Sequence, residues 1–216
     1  HPRCASPDER PAAPRPDLGR PRLPVDRAFS MAGFGTVVTG TLVDGALEVG
    51  QEVEVLPGGQ RARVRGLQTH KSPVQSAVVG SRVAANLTGI EVRQVRRGDV
   101  LVQPVSEQAT TRLDVRFRML ADAPQRVRHN QAAKLFLGAA QRGARVRLLG
   151  AQELSPGDLG WLQLELEEPI VARRGDHYIL RRASPSATLG GGVVADAHPS
   201  QRHRRFDPAV LHHLES

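Results

Sequence analysis

The chain has 216 residues, 39% of them hydrophobic and 24% charged, which allows one or two globular domains and argues against wholesale disorder. Thirty basic and 22 acidic residues leave a net charge of +8 and a pI near 11.1; this suits a polyanionic partner, and equally reflects a composition rich in Arg, since Lys occurs only at 71 and 134. No apolar run approaches the ~20 residues of a membrane-spanning helix, no signal-peptide pattern opens the chain, and the single cysteine, Cys4, excludes an internal disulfide and any paired-cysteine metal site.

Residues 1–22 are rich in Pro and Arg and read as a linker. From there short apolar runs alternate with turn signals. Thr36–Leu42 reads as a strand. Leu56-Pro57-Gly58-Gly59 separates two period-2 stretches, Glu52–Val55 and Arg61–Arg65, which makes a hairpin. Arg82–Leu87 and Val100–Val102 continue the series, and a first β-barrel is expected over 23–106. A second series fills 107–200. Thr111–Leu120 alternates through Leu113, Val115, Phe117 and Met119. Lys134–Leu137 and Arg145–Leu149 flank an expected turn at Gln141-Arg142-Gly143, although 131–141 also fits a short helix. Trp161–Glu165, His177–Arg182 and Gly192–Ala195 complete it. The fold class is thus all-β, two consecutive antiparallel β-barrels joined near 105–110. Residues 201–216 start a further linker, and the helical beginning near the end reads as a chain that continues.

Charge is uneven. Residues 110–216 carry sixteen basic and eleven acidic groups, a net +5, against +1 for 25–109. The densest cluster, Gln201-Arg202-His203-Arg204-Arg205, reads either as a polyanion contact or as a solvated tail. Aromatic residues are only 3%, which speaks against base-stacking platforms.

Catalytic and cofactor patterns are missing. A phosphate-binding P-loop needs Gly-Lys followed by Ser or Thr, but Lys71 follows His70 and Lys134 follows Ala133. No nucleophile elbow or HExxH pattern occurs, and His198 and His203 read as surface residues rather than a metal site. Gly190-Gly191-Gly192 reads as a tight turn or a place of close backbone packing. The two Arg-Gly-Asp triplets, Arg97–Asp99 and Arg174–Asp176, read as turns.

Several blocks carry a resemblance. Leu23–Ser30, then Gly33-Phe34-Gly35-Thr36-Val37-Val38-Thr39-Gly40-Thr41, is similar to the strand and turn that open the second domain of translational GTPases; its glycines allow the bends of a barrel corner. Val49–Val53, Val64–Gln68, Gly80–Leu87 and Arg97–Leu101 follow in the family's order. Tyr178–Arg182 and Thr188–Val194 resemble the closing strands of the third domain. With Asp26-Arg27 in the first barrel, the set resembles the selenocysteine-specific elongation factors (SelB). His177 stands where the family pattern has Arg, and Gly138-Ala139 where it has Gly-Thr.

The resemblance implies a G domain before this chain, with GTP and Mg2+ as its cofactors, and winged-helix domains after it that read an mRNA hairpin. It implies a cytoplasmic monomer that partners selenocysteinyl-tRNA and the ribosome and no membrane. It implies no catalytic or metal residue in this chain. Asp26, Arg27 and Arg82 are then expected to line the aminoacyl pocket, and Arg181, Arg182, Thr188, Gly190 and Gly192 to meet the tRNA backbone. A factor for ordinary aminoacyl-tRNA, and a basic barrel RNA binder with no amino-acid pocket, stay open as alternatives.

Overall fold

The computed structural model describes residues 18–33 and 35–215; the predicted linker up to residue 17 lies outside them. The first barrel contains β1 (Arg22–Met31), β2 (Gly35–Thr41), β3 (Leu47–Glu48), β4 (Glu52–Leu56), β5 (Gln60–Thr69), β6 (Ser72–Val74), β7 (Ser76–Ala77), β8 (Arg82–Thr88) and β9 (Val100–Val102), with a 3-10 turn at Val92–Gln94. Its strands run β4-β9-β1-β2-β8-β5, and β4 pairs with β5 to close the ring. The alternation seen in the sequence is the reason: Ala62, Val64 and Leu67 of β5 turn inward while Arg61, Arg63 and Arg65 stay exposed.

The second barrel contains β10 (Ala109–Met119), β11 (Val127–Arg128), β12 (Gln131–Leu137), β13 (Ala140–Leu149), β14 (Glu153–Leu154), β15 (Leu159–Val171), β16 (His177–Arg182) and β17 (Ala187–Asp196). Six of these close in the order β10-β15-β13-β12-β16-β17. Leu113, Val115, Phe117, Leu135, Leu148, Leu162, Leu164 and Leu180 fill its core at 1% exposure or less; burial stabilises by about 1.5–3 kcal/mol for each large side chain. Residues 131–137 are strand, not helix. The expected turn at 141–143 is displaced: the chain reverses at Gly138-Ala139, with Leu137 opposite Ala140 and Gly138 at φ 56. Gly143 is a strand glycine whose side-chain space is taken by Glu167. A helix, α1 (Pro208–Glu215), follows the second barrel.

One turn recurs. In Arg96–Asp99, Ser155–Asp158 and Arg173–Asp176 the fourth residue is Asp, whose carboxylate accepts from the first backbone N–H at 2.7–2.9 Å. The third residue is always Gly with φ of 87–93, a conformation that costs other residues energy. Both Arg-Gly-Asp triplets are therefore turns.

The barrels meet along a seam. Leu56, Val100 and Val102 of the first pack on Val171 of the second. Arg22 at the start of β1 donates to Asp176 at 2.6 Å, with side chains only 6% and 8% exposed. Arg173 reaches Asp44 and Glu107. Burial works against the Arg173 charge, but Glu107 and Asp44 outweigh it and raise its pKa.

Candidate aminoacyl and RNA sites

In β1, Val25 pairs with Gly40 and Arg27 with Thr39, so Asp26 is the extra residue of a β-bulge. A bulge re-aims its side chain. Asp26 is thereby turned toward two neighbours: the Thr39 hydroxyl donates to Oδ1 at 2.6 Å, and the Arg82 guanidinium donates to Oδ2. Gly40 makes this possible, because a Cβ there would sit 2.2 Å from the Pro24 carbonyl. Partial burial pushes the Asp26 carboxyl up, but the Thr39 and Arg82 hydrogen bonds and the charges of Arg82 and Arg27 hold it below its ordinary value. Arg27 is exposed. The cluster holds one carboxylate and two guanidiniums, so it keeps a net positive charge after Asp26 is satisfied. The predicted residues do gather, with Arg82 rather than Arg27 as the bonded partner of Asp26. Thr39 was not anticipated; only the bulge brings it to the carboxylate. The loop that delivers Arg82 exposes Val78 and Val79, a rim the sequence did not single out.

In the second barrel, Thr188–Gly192 is part of β17 and not a turn. The three glycines serve close packing: a Cβ at 190, 191 or 192 would lie 2.2, 2.5 or 1.9 Å from the carbonyl oxygens of Arg118, Tyr178 and Arg116. Gly190 faces the Phe117 ring inside the barrel and Gly192 stands opposite Phe117 in the register, so their side-chain direction is interior; Gly191 alternates outward. Arg181 stands in a row with Lys134 and Thr188, and its guanidinium lies 5.8 Å over the Phe136 ring. Its buried Nε has no hydrogen-bond partner. Arg182 turns the other way, donating to Ser184 and Gln125. The next row runs Phe136, Ile179, Gly191, Arg118. The outer face thus joins Arg181 and Thr188 with Lys134 and Arg118, which sequence reasoning missed, and leaves Arg182 aside.

The segment after β17 is not a loose tail. His203, expected at the surface, is 14% exposed and bonds the buried Asp114 through Nε2 at 2.6 Å. Its backbone N–H donates to Gln163, and Arg205 donates to the carbonyls of Ala151 and Gln152. Burial pushes the Asp114 carboxyl up; bonds from Gln163 and His203 oppose this. Asp114 gave no signal in the sequence, since it sits on the polar side of an ordinary alternating strand.

Among the described residues no group of three metal-ligating side chains occurs, and no helix is long and apolar enough to cross a membrane.

Residues 35–102 match the family described as elongation factor Tu domain 2, and residues 114–201 match the selenocysteine-specific elongation factor beta-barrel domain. The chain is 39% identical over 173 residues to the selenocysteine-specific elongation factor of Desulfomicrobium baculatum, covering 80% of this chain and 27% of that protein. It is 31% identical over 196 residues to that of Escherichia coli, covering 90% and 30%. Elongation factor 1-alpha of Pyrobaculum calidifontis is 29% identical over 206 residues, covering 87% and 46%. The crystal structure of a bacterial selenocysteine-specific elongation factor, EF-Sec, superposes with a TM-score of 0.74 at 27% identity, covering 88% of this chain and 31% of that one. The chain spans about three-tenths of the length of these selenocysteine-specific relatives.

Proposed function

The chain belongs to the family of selenocysteine-specific elongation factors, of which it spans the two consecutive barrels, and from that premise we propose that it holds the aminoacyl end and the acceptor and T arm of selenocysteinyl-tRNA for delivery to the ribosome at recoded UGA codons. GTP and Mg2+ are assigned to a G domain outside these residues, and the mRNA hairpin to further domains.

The observation that carries the aminoacyl assignment is the cluster on the β1 bulge. A selenol is largely ionised at neutral pH, whereas a serine hydroxyl is not. A selenolate therefore needs fixed cations, and Arg stays protonated under all relevant conditions. Arg82 is oriented by its charge-assisted bond to Asp26. Arg27 is the second, exposed guanidinium, beside the same carboxylate. Asp26 offsets the repulsion between them when the pocket is empty. A neutral serine would leave the cations poorly compensated, which is a basis for rejecting it. On the second barrel, the wall of Lys134, Arg181, Thr188, Gly191 and Arg118 is assigned to the tRNA backbone: cations for phosphate, and glycine for close approach.

The test uses a factor carrying its G domain. Arg27→Ala and Arg82→Ala should each weaken Sec-tRNA binding by about 1–3 kcal/mol, roughly 5- to 150-fold, on the scale of a lost charged hydrogen-bond partner. Ser-tRNA binding should change little. Equal losses for both tRNAs would overturn the assignment and favour a general aminoacyl-tRNA carrier, the reading to which the similarity with elongation factor 1-alpha lends support.

A further inference from the structure

In the six-strand ring of the second barrel, β15 lies opposite β16, so its outer surface faces away from the Arg181 wall. Two cross-strand rows stand on it. Asp114, Gln163 and Arg147 form one; Arg112, Glu165 and Arg145 form the other. The segment carrying Gln201–Arg205 lies over the first row and satisfies it. His203 takes Asp114, Gln163 donates to Asp114 and to the Gln201 carbonyl, and Arg147 donates to the His203 carbonyl at 3.3 Å.

The second row is not balanced. Arg202 reaches Glu165 at 3.1 Å and Arg147 at 3.9 Å, both on the same carboxylate oxygen. Arg112 and Arg145 flank Glu165 on either side. Two guanidiniums thus share the Glu165 carboxylate, and two more arginines stand beside it in the cross-strand row. Arg147 is only 7% exposed, and the Nε atoms of both Arg147 and Arg112 are buried without a hydrogen-bond partner. Burial, then repulsion from Arg202, works against the Arg147 charge. An excess of cations in such a setting is costly, and an anion accepting from the exposed Arg145 and Arg202 beside them lowers the cost.

We propose that this wall, built from Arg112, Arg145, Arg147 and Arg202 around Glu165, is a second polyanion site that takes the phosphodiester backbone of an RNA segment other than the one on the Arg181 wall. Guanidinium forks match phosphate oxygens in pairs. None of the exposed large hydrophobic side chains lies in either row, so the surface lacks the apolar centre of a protein–protein interface. Aromatic rings are absent from both rows, so the contact is to backbone and not to bases. The proposal does not depend on the aminoacyl assignment.

The test is binding of a labelled 20-base-pair RNA duplex to the 216-residue chain across a salt series. Arg112→Ala/Arg145→Ala should lower the slope of log affinity against log salt by roughly two, so that its deficit against the parent narrows about tenfold between 50 and 200 mM salt. The same decrement should appear in an Arg118→Ala/Arg181→Ala background, because the two walls are separate. Arg145→Glu with Arg202→Glu, both at exposed positions, repeats the test should the first pair fail to fold. An unchanged slope in a folded variant overturns the site. Displacement of the RNA by poly-glutamate at equal charge concentration overturns the RNA assignment and marks the wall as a contact for an acidic protein.

Discussion

Arg22→Met tests whether the seam couples the barrels. Arg22 and Asp176 are 154 positions apart in the chain and meet at 2.6 Å, both more than nine-tenths buried. Removing the guanidinium leaves Asp176 with the Arg173 backbone N–H as its remaining hydrogen bond, at 2.9 Å, and a buried charge without its counterion. Breaking such a pair from one side costs about 3–5 kcal/mol. For a chain of this size each kcal/mol moves the melting point by about 2–4 °C, so the expected fall is roughly 6–20 °C. Trp161, the single tryptophan, sits on β15 and reports the second barrel by fluorescence, while far-UV circular dichroism reports both. Each barrel has its own core, so the two signals should separate in the variant and coincide in the parent. Arg22→Met/Asp176→Asn removes both charges and should recover most of the loss. A single variant that loses less than about 1 kcal/mol, or a double variant no better than the single, would refute the coupling.

Two further predictions concern strand glycines and two carboxylates. Gly192→Ala places a Cβ 1.9 Å from the Arg116 carbonyl oxygen and should cost about 1–3 kcal/mol or more in urea unfolding, whereas Gly66→Ala meets nothing within 4 Å and should change stability by under about 1 kcal/mol. Asp26 and Asp114 should give opposite pH slopes. The folded pKa of Asp26 is lowered, so its contribution is present above its ordinary value of 3.8 and is lost as pH falls through the folded value. That of Asp114 is raised, so its contribution is present below 3.8 and is lost as pH rises through the folded value. In a pH series of urea midpoints, Asp26→Asn should remove the first slope and Asp114→Asn the second; a variant that leaves its slope in place contradicts the corresponding assignment.

Local chemistry made much of this legible in the sequence. Period-2 runs located the strands, Pro57-Gly58-Gly59 located a hairpin, and the Gly-Asp pairs located turns. What escaped were features decided by partners far along the chain. Gly143 looked like a turn signal, yet it pairs with Lys134 inside β13, and Glu167 takes the space a side chain would need. Thr39 looked like one more β-branched strand residue until the bulge at Asp26 faced it. His203 looked like surface, although Asp114, 89 positions away, draws it under. The gathering of Asp26 and Arg82 followed from the family resemblance. Neither residue's spacing announces it, since 56 positions separate them.

Ring closure also bears on how the chain is made. Each barrel is sealed by its last strand: β9 pairs with both β1 and β4, and β17 with both β10 and β16. A ribosome adding about 5–20 residues per second needs roughly 4–14 s to pass from Met119 to its partner Gly190. During that interval β10 presents a bare hydrogen-bonding edge, joined by that of β16 only once His177–Arg182 has been made, while the first ring already has all its strands. Completion therefore runs in the direction of synthesis, with β17 as the final piece, and its three central glycines carry no side chain past the two edges that flank them.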